Sequence, residues 1–451
     1  MSSAEVVVCG AGIAGAAAAY HLAVRQRVPN VVIVEPRDPL TLTSDKGTQG
    51  YRNWFDGPDD TMVQFVGRSV TIMEEIAAES GNAIGLSRHG YLFATADTVM
   101  RDWLRRQAAR LESFGAGSYR EHPGPRPYVP GVGHEWRGVP DGADLLLDPA
   151  LVREHFGFLR HDAIAVNHVR RAGWMDAITL GHWLLEQAQR AGARIVRDRV
   201  IGIDTTGGSL TSVRLASGDT ISTRRMAIAA GPGLPEVLRM LGLDLPVFLE
   251  LHAKMRFDDR LGVVPRSAPF TIWNDPVEGI DWTEADRRRY ASDPKTRWLL
   301  EPFPGGMHVR PVGDRDVFLI WTFESSPHEF EWPPTFDANL GDALLQGFAN
   351  MCPGANAYLG EGARGIVDGG YYAKTPENRP MVGPLEIDGV FISGALSGYG
   401  IMASHAAGEL LATHITGGRL PSYAAALSPR RYRDPDYRRK LENWDAKAGQ
   451  L

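Results

Sequence analysis

The stretch VCGAGIAG, Val8 to Gly15, constrains the fold of this chain more than any other. A valine-rich run over residues 4–9 leads into Gly10, Gly12 and Gly15; an alanine-rich helix over Ala16 to Leu22 follows, and VVIV, Val31 to Val34, reads as a second strand ending at Glu35. Strand, glycine turn, helix and strand within about thirty residues form the opening of a parallel α/β sheet that binds a dinucleotide. Gly10 permits the tight turn, Gly12 lets a pyrophosphate approach the backbone, and Gly15 lets the helix pack on the strand. The helix N-terminus faces the phosphates, with Ile13 and Ala14 in the turn that leads into it. Glu35, followed by Pro36 and Arg37, stands where a carboxylate accepts hydrogen bonds from a ribose diol, which disfavours a 2′-phosphate and points to NAD or FAD.

At 451 residues the chain is too long for one ordinary core, so two domains or one fold with a large second lobe are expected. The net charge is only −6 and no long block of like charge occurs, which argues against a nucleic-acid partner. No apolar run approaches membrane-spanning length and the apolar N-terminus lacks a basic leader, so a soluble cytoplasmic protein without membrane insertion is expected. Two cysteines, Cys9 and Cys352, support neither a disulfide framework nor a metal cluster.

Further along, residues 61–80 have helical apolar spacing, GYLFAT at 90–95 reads as a strand, 96–114 as a polar helix, and the Pro- and Gly-rich stretch 115–148 as a long irregular connection. Asp176 is a candidate cap for a helix over Ala177 to Ala191, which Gly192 stops before one strand, ARIVRDRVIGI. Residues 209–222 resemble a hairpin, and RMAIAAGPG is a strand whose small-residue end, with Ala230 and Gly231, suits a flat ligand across the sheet edge. Residues 245–325 read as a set of antiparallel strands, followed by a helix near 337–350. The closing unit, TPENRPMVGPL through FISGALSGYG to the small-residue helix IMASHAAGELL, is the most specific part of the chain.

Taken with the N-terminal loop, Glu35 and the AAGPG strand end, in this order, that unit resembles the D-amino-acid oxidase superfamily of FAD proteins, in its monomeric sarcosine oxidase and glycine oxidase branch. The resemblance implies an α/β fold: a Rossmann-like FAD-binding domain of glutathione-reductase type with a second, α+β substrate domain built on an antiparallel sheet. It implies a discontinuous FAD domain of residues 1–83, 160–233 and 372–425, a substrate domain of 84–159 and 234–371, and a charged tail, 426–451, forming a surface helix or tail.

For the cofactor, the resemblance places Ser44, Asp45 and Lys46 in a loop beside it, Val200, Ala230, Gly231 and Gly394 along it, and Gly398, Tyr399, Gly400, Ile401 and Met402 at the flavin edge. There a helix N-terminus stabilises negative charge. The tethering cysteine of sarcosine oxidase falls at Gly370, so the FAD is expected to be non-covalent. Arg52, in RNWF, falls where that enzyme binds the substrate carboxylate, a task suited to a planar guanidinium; the alternative is an internal salt bridge. A second clamping lysine of that enzyme is replaced by Met402, which favours substrates with one carboxylate or a larger apolar portion. His308, in GGMHVRP, falls at the oxygen-activating lysine, where only a protonated imidazole would stabilise superoxide; Arg310 shares its strand face. Tyr399, with Tyr51, Trp54 and Tyr372, is a candidate wall of the substrate pocket, whereas His405, Glu409 and the turn residue Lys374 are read as structural.

The implied reaction oxidises the C–N bond of an amine or amino acid by hydride transfer to flavin N5, giving an imine, with O2 or another acceptor taking the electrons. The alternatives are an FAD-dependent 2-hydroxy-acid dehydrogenase, with His308 as its base, and a non-catalytic FAD-bearing subunit of a larger complex.

Overall fold

The structure is a computed structural model that describes residues 2–124, 128–131, 133, 136–278, 280, 282–323, 326–360, 365–442 and 444. Its first sheet has six strands in the order Arg194–Val196, Val31–Val34, Val6–Cys9, Met226–Ile228, Val390–Gly394 and Met381–Pro384. The first five run parallel, and the last pairs antiparallel with its neighbour. Strands buried on both faces need apolar residues at every position, which is why VVVC and VVIV show no alternation. Helices Ile13–Tyr20, Thr61–Glu79, Ala177–Arg190 and Gly400–Thr416 pack together beside this sheet, and the alanines and glycines of the first and last let their backbones approach closely. A Cβ on Gly408 would come within 2.8 Å of the Ala17 carbonyl carbon.

A second sheet of nine strands carries Ile366–Lys374, Phe248–Asp258, Asp316–Ile320, Met307–Val312, Phe270–Trp273, Tyr91–Thr95, Ala165–Val169, Ala143–Leu146 and Tyr119–His122 in that order. It is mostly antiparallel, with Phe270–Trp273 beside Tyr91–Thr95 and Tyr119–His122 beside Ala143–Leu146 running parallel. A four-stranded sheet (Ser2–Ser3, Thr220–Ser222, Ser209–Leu215, Val200–Thr206) flanks the first, and a short pair, Gly50–Arg52 with Ala172–Trp174, lies between the large sheets in sequence. No helix among the described residues is long and apolar enough to cross a membrane.

Helices Thr61–Glu79 and Thr98–Ser113 lie where apolar spacing put them, and the Asp176 side chain accepts from the Ile178 and Thr179 amides at the start of Ala177–Arg190. Elsewhere the structure corrects the sequence reading. ARIVRDRVIGI is two strands in two different sheets, broken over 197–199. Residues 115–148 contain two short strands rather than only irregular chain. The span 245–325 includes a helix, Glu284–Ser292, capped by Thr283, and RWLL is a 3₁₀ turn. Lys374 is a buried strand end, not a turn residue, and its Nζ donates to Glu250 Oε2 at 2.7 Å. In the closing segment an exposed helix, Pro435–Glu442, forms as expected, and Arg431 before it is buried and pairs with Glu377 at 2.8 Å.

Candidate functional site

The carboxyl ends of the first sheet's strands open onto a cavity with about 900 Å³ of empty space, counted to its open mouth. Of the residues singled out from sequence, Gly10, Gly12, Ile13, Ala14, Glu35, Ser44, Ala230, Gly231, Gly394, Gly398, Gly400 and Ile401 line it. The N-termini of Ile13–Tyr20 and Gly400–Thr416 therefore both face one cavity although almost four hundred residues separate them in the chain.

Glycine is required at the turn. Gly10 has φ +108°, and a Cβ there would lie 2.5 Å from the Ala229 carbonyl oxygen; one on Gly15 would overlap the Gly10 carbonyl oxygen. Glu35 accepts from the Ala11 amide (2.8 Å) through Oε2 and from the Arg37 amide (2.9 Å) through Oε1. Each oxygen keeps a second lone pair. Ser44 Oγ accepts from the Ile13 amide at 2.9 Å.

The remaining candidates sit outside the lining. Gly15 is buried beneath the turn, and Val200 lies in the core under the four-stranded sheet. Pro36, Arg37 and Asp45 are at or near the surface, whereas Lys46 Nζ pairs with Asp45 and Asp368, each at 3.1 Å. Met402 packs into the helix core. Tyr399 is buried, its hydroxyl donates to the Asn378 carbonyl, and its ring meets Phe55 edge-on at 4.8 Å. Its hydroxyl is thus already committed, and the tyrosines that line the cavity are Tyr371 and Tyr372.

An aromatic and basic cluster adjoins the cavity: Arg310 Nε donates to the carbonyl of Thr48, next to the lining Gly47, and Phe55 packs on Tyr399, between the lining Gly398 and Gly400. The Arg52 guanidinium stands 5.0 Å from the Phe55 ring and 5.4 Å from that of Tyr91, and its Nε donates to the Trp54 carbonyl at 2.9 Å. Tyr91 packs on Phe270 (4.4 Å), which packs on His308 (5.7 Å). Arg52 lies against Tyr91 and His308 against Phe270 in this chain of rings, and neither is among the residues that line the cavity.

Among the described residues, the internal salt bridge open to Arg52 from sequence does not form. Eight lysines and arginines are buried among the described residues: Arg52, Arg88, Arg170, Lys254, Arg310, Lys374, Arg379 and Arg431. Six of them pair with a carboxylate, and only Arg52 and Arg310 do not. Burial lowers the Arg52 pKa, and pulls that of Arg310 down to about 9.

His308 Nδ1 lies 2.5 Å from the Gly306 carbonyl, an acceptor only, so Nδ1 carries the proton and donates. Burial, with the nearby Arg52 charge working the same way, pushes its pKa down to about 4. The imidazole is neutral near pH 7, and the protonated form considered from sequence is not the resting state.

A second polar group was missed. His252 stacks on Tyr372 (4.3 Å between ring centroids), and its Nε2 meets Glu250 Oε2 at 3.0 Å, the oxygen that also accepts from Lys374. The signal was present in FLELHAKMRFD, where Glu250, His252, Lys254, Arg256 and Asp258 recur with period two between apolar residues. Thr43 was missed as well; it lines the cavity and donates from Oγ1 to the Tyr371 carbonyl at 2.7 Å, holding the short helix Thr43–Lys46, read as a loop from sequence, against strand Ile366–Lys374.

A family model described as DAO, FAD dependent oxidoreductase, matches residues 5–414. The chain belongs to this family. It is an FAD-dependent oxidoreductase. It is 22% identical over 442 residues to the dimethylglycine dehydrogenase, mitochondrial, of Mus musculus, covering 95% of this chain and 44% of that protein. To the sarcosine oxidase subunit beta of Rhizobium meliloti (strain 1021) it is 24% identical over 256 residues, covering 56% of this chain and 55% of that one. The chain therefore spans about half the length of these curated relatives. Among solved structures, L-proline dehydrogenase from P.horikoshii superimposes with a TM-score of 0.75 at 20% identity, covering 96% of this chain and 98% of that one. Glycine oxidase from Geobacillus kaustophilus gives 0.72 at 18%, covering 95% and 98%.

The cavity of this oxidoreductase fits FAD on its own terms. Its floor is glycine backbone where side chains would collide, two helix N-termini face it, and the buried Ser393 Oγ on its wall has no partner within the protein.

Proposed function

We propose that this oxidoreductase oxidises the C–N bond of an amine or amino acid that carries a carboxylate, giving an imine that water hydrolyses. The observation that carries the reading is Arg52: a guanidinium 7% exposed, flanked by Phe55 and Tyr91, with no carboxylate of the described residues to neutralise it. An unpaired buried charge costs several kcal/mol, and a bidentate carboxylate from outside supplies the missing partner. The names of the similar proteins support the substrate class, since dimethylglycine, sarcosine, glycine and proline all join an amine to a carboxylate.

Bound in the cavity, FAD supplies the two-electron acceptor. Gly10, Gly12, Ile13 and Ala14 would hold its pyrophosphate, with Gly15 permitting the turn, and Glu35 its ribose. Ser44, Ala230 and Gly231 would border its middle, and Gly394, Gly398, Gly400 and Ile401 its ring end. Gly370 supports a non-covalent cofactor, because a Cβ there would approach Lys46 Cβ to 3.1 Å and Thr43 Cα to 3.3 Å.

The protein's own part is positioning and desolvation. Arg52 orients the carboxylate, and the aromatic rings around it exclude water. A substrate amine must lose its proton before oxidation so that its lone pair supports the iminium. His308, with a pKa near 4, accepts a hydrogen bond at Nε2 but is too weak a base to remove a hydroxyl proton, which disfavours the 2-hydroxy-acid alternative.

Anaerobic mixing of the FAD-loaded protein with a panel of amino acids, secondary amines and 2-hydroxy acids tests the reading. Bleaching of the flavin by carboxylate-bearing amines is expected. Bleaching only by hydroxy acids, or by nothing, would reject it in favour of the dehydrogenase or of a non-catalytic subunit, and admission of O2 then reports the acceptor.

A further inference from the structure

The cluster around Tyr91 holds more positive charge than one carboxylate can neutralise. Arg310, on strand Met307–Val312, follows His308 by two residues and shares its face. Its guanidinium is held between the rings of Phe318 (4.8 Å) and Trp174 (5.3 Å), and the residue is 2% exposed. Nε donates to the Thr48 carbonyl at 2.7 Å, Nη1 to the Pro311 carbonyl at 2.8 Å, and Nη2 reaches Gln49 Oε1 at 3.5 Å. Every one of these acceptors is neutral.

Arg52 stands over Tyr91, Tyr91 packs on Phe270 and Phe270 on His308, two residues before Arg310 on the same strand face, so the two guanidinium groups belong to one cluster rather than to two. The other basic side chains buried to this degree show what the fold does elsewhere. Arg431 has Glu377, Lys374 has Glu250, Arg170 has Asp144 and Arg379 has Asp59. Carbonyl acceptors satisfy N–H groups without cancelling charge, so two guanidinium groups left without a carboxylate in one cluster leave a local excess of two positive charges.

The geometry points to a substrate with two carboxylates, an acidic amino acid or an imino diacid, one carboxylate taken by Arg52 and the second by Arg310. This rests on the reading of the cluster as the substrate end of the cavity. Loss of the clamping lysine at Met402 suggested a single carboxylate from sequence; the second cation instead arrives from the nine-stranded sheet. Arg310 is a specificity-determining residue in this scheme, since it adds affinity only for the distal carboxylate.

The test uses the FAD-loaded protein and carboxylates that cannot be oxidised. Malonate, succinate and glutarate are titrated against propionate, butyrate and valerate, read by perturbation of the visible flavin spectrum and by calorimetry. The best dicarboxylate is expected to bind about tenfold more tightly than the monocarboxylate of equal carbon number, or better. Arg310→Gln should remove that preference while leaving monocarboxylate affinity within about twofold, and Arg310→Lys should retain part of it. Equal affinity for the two series in the unaltered protein would overturn the inference even if neither variant folds. So would an equal loss for both series in Arg310→Gln, the mark of a residue that only braces Thr48 and Gln49. Failure of every carboxylate to bind would instead reject the substrate-end reading itself.

Discussion

Replacing Arg52 with methionine should stabilise the substrate-free protein and abolish its affinity for carboxylates. The residue is 7% exposed and its charge has no counter-ion among the described residues, so the wild-type fold carries an uncompensated cation that costs several kcal/mol. Against this, Arg52→Met loses the Nε hydrogen bond to the Trp54 carbonyl, worth about 1 kcal/mol, and the cation–π contacts to Phe55 and Tyr91, worth about 1–2 kcal/mol. Methionine fills similar volume with an adaptable apolar stem, so no large cavity follows. The net expectation is a gain of about 1–3 kcal/mol, seen as a rise of a few degrees in Tm. Carboxylate binding should weaken by about 3 kcal/mol, roughly a hundredfold in Kd. Thermal unfolding of the FAD-loaded protein without substrate, and titration of a non-oxidisable carboxylate against the flavin spectrum, measure the two halves. A variant destabilised by more than about 2 kcal/mol with unchanged carboxylate affinity would show that Arg52 is a structural residue and that the reasoning from unpaired charge is wrong.

Gly15→Ala should yield folded but colourless protein, because its Cβ would overlap the Gly10 carbonyl oxygen and push the helix off the turn; a normal flavin-to-protein ratio on purification would contradict this. Arg431→Met should lower stability to urea by about 3–5 kcal/mol, since it leaves the fully buried Glu377 without its cation; an effect below about 1 kcal/mol would return the closing segment to the status of a surface tail. Acid should destabilise the fold between about pH 6.5 and 3. His21, His168 and His405, with pKa values pushed down to about 3 by burial, and His308, at about 4, all bind protons more readily when unfolded. Each contributes stability that is complete above pH 6.5 and is lost as pH falls through its folded pKa, with a slope of up to about 1.4 kcal/mol per pH unit. Urea midpoints that stay flat from pH 7 to 4 would refute the burial of these rings as neutral imidazoles.

Reading by sequence went furthest where local geometry decides the outcome. The glycine turn, the Asp176 cap and the apolar spacing of Thr61–Glu79 are each set by residues within a few positions of one another. It failed where the deciding neighbour is remote. The apolar runs RIV and VIGI look continuous, and nothing local tells that Val196 ends one sheet while Val200 begins another. Helix Glu284–Ser292 escaped notice because it buries only Tyr290, leaving no amphipathic pattern to detect. Tyr399 and Tyr372 were equal candidates on paper; which one faces the cavity follows from the Asn378 carbonyl that captures the Tyr399 hydroxyl.

The amino-acid sequence alone determined the dinucleotide grip, because a positive-φ glycine and a helix N-terminus are demands of the backbone that short-range residue choice must meet. Whether a buried charge is paired was decided only by tertiary structure. Lys374 meets Glu250 across 124 residues and Arg431 meets Glu377 across 54, whereas Arg52 and Arg310 meet no acid among the described residues. Coulomb energy in a desolvated interior depends on distance through space, which the order of residues along a chain does not carry.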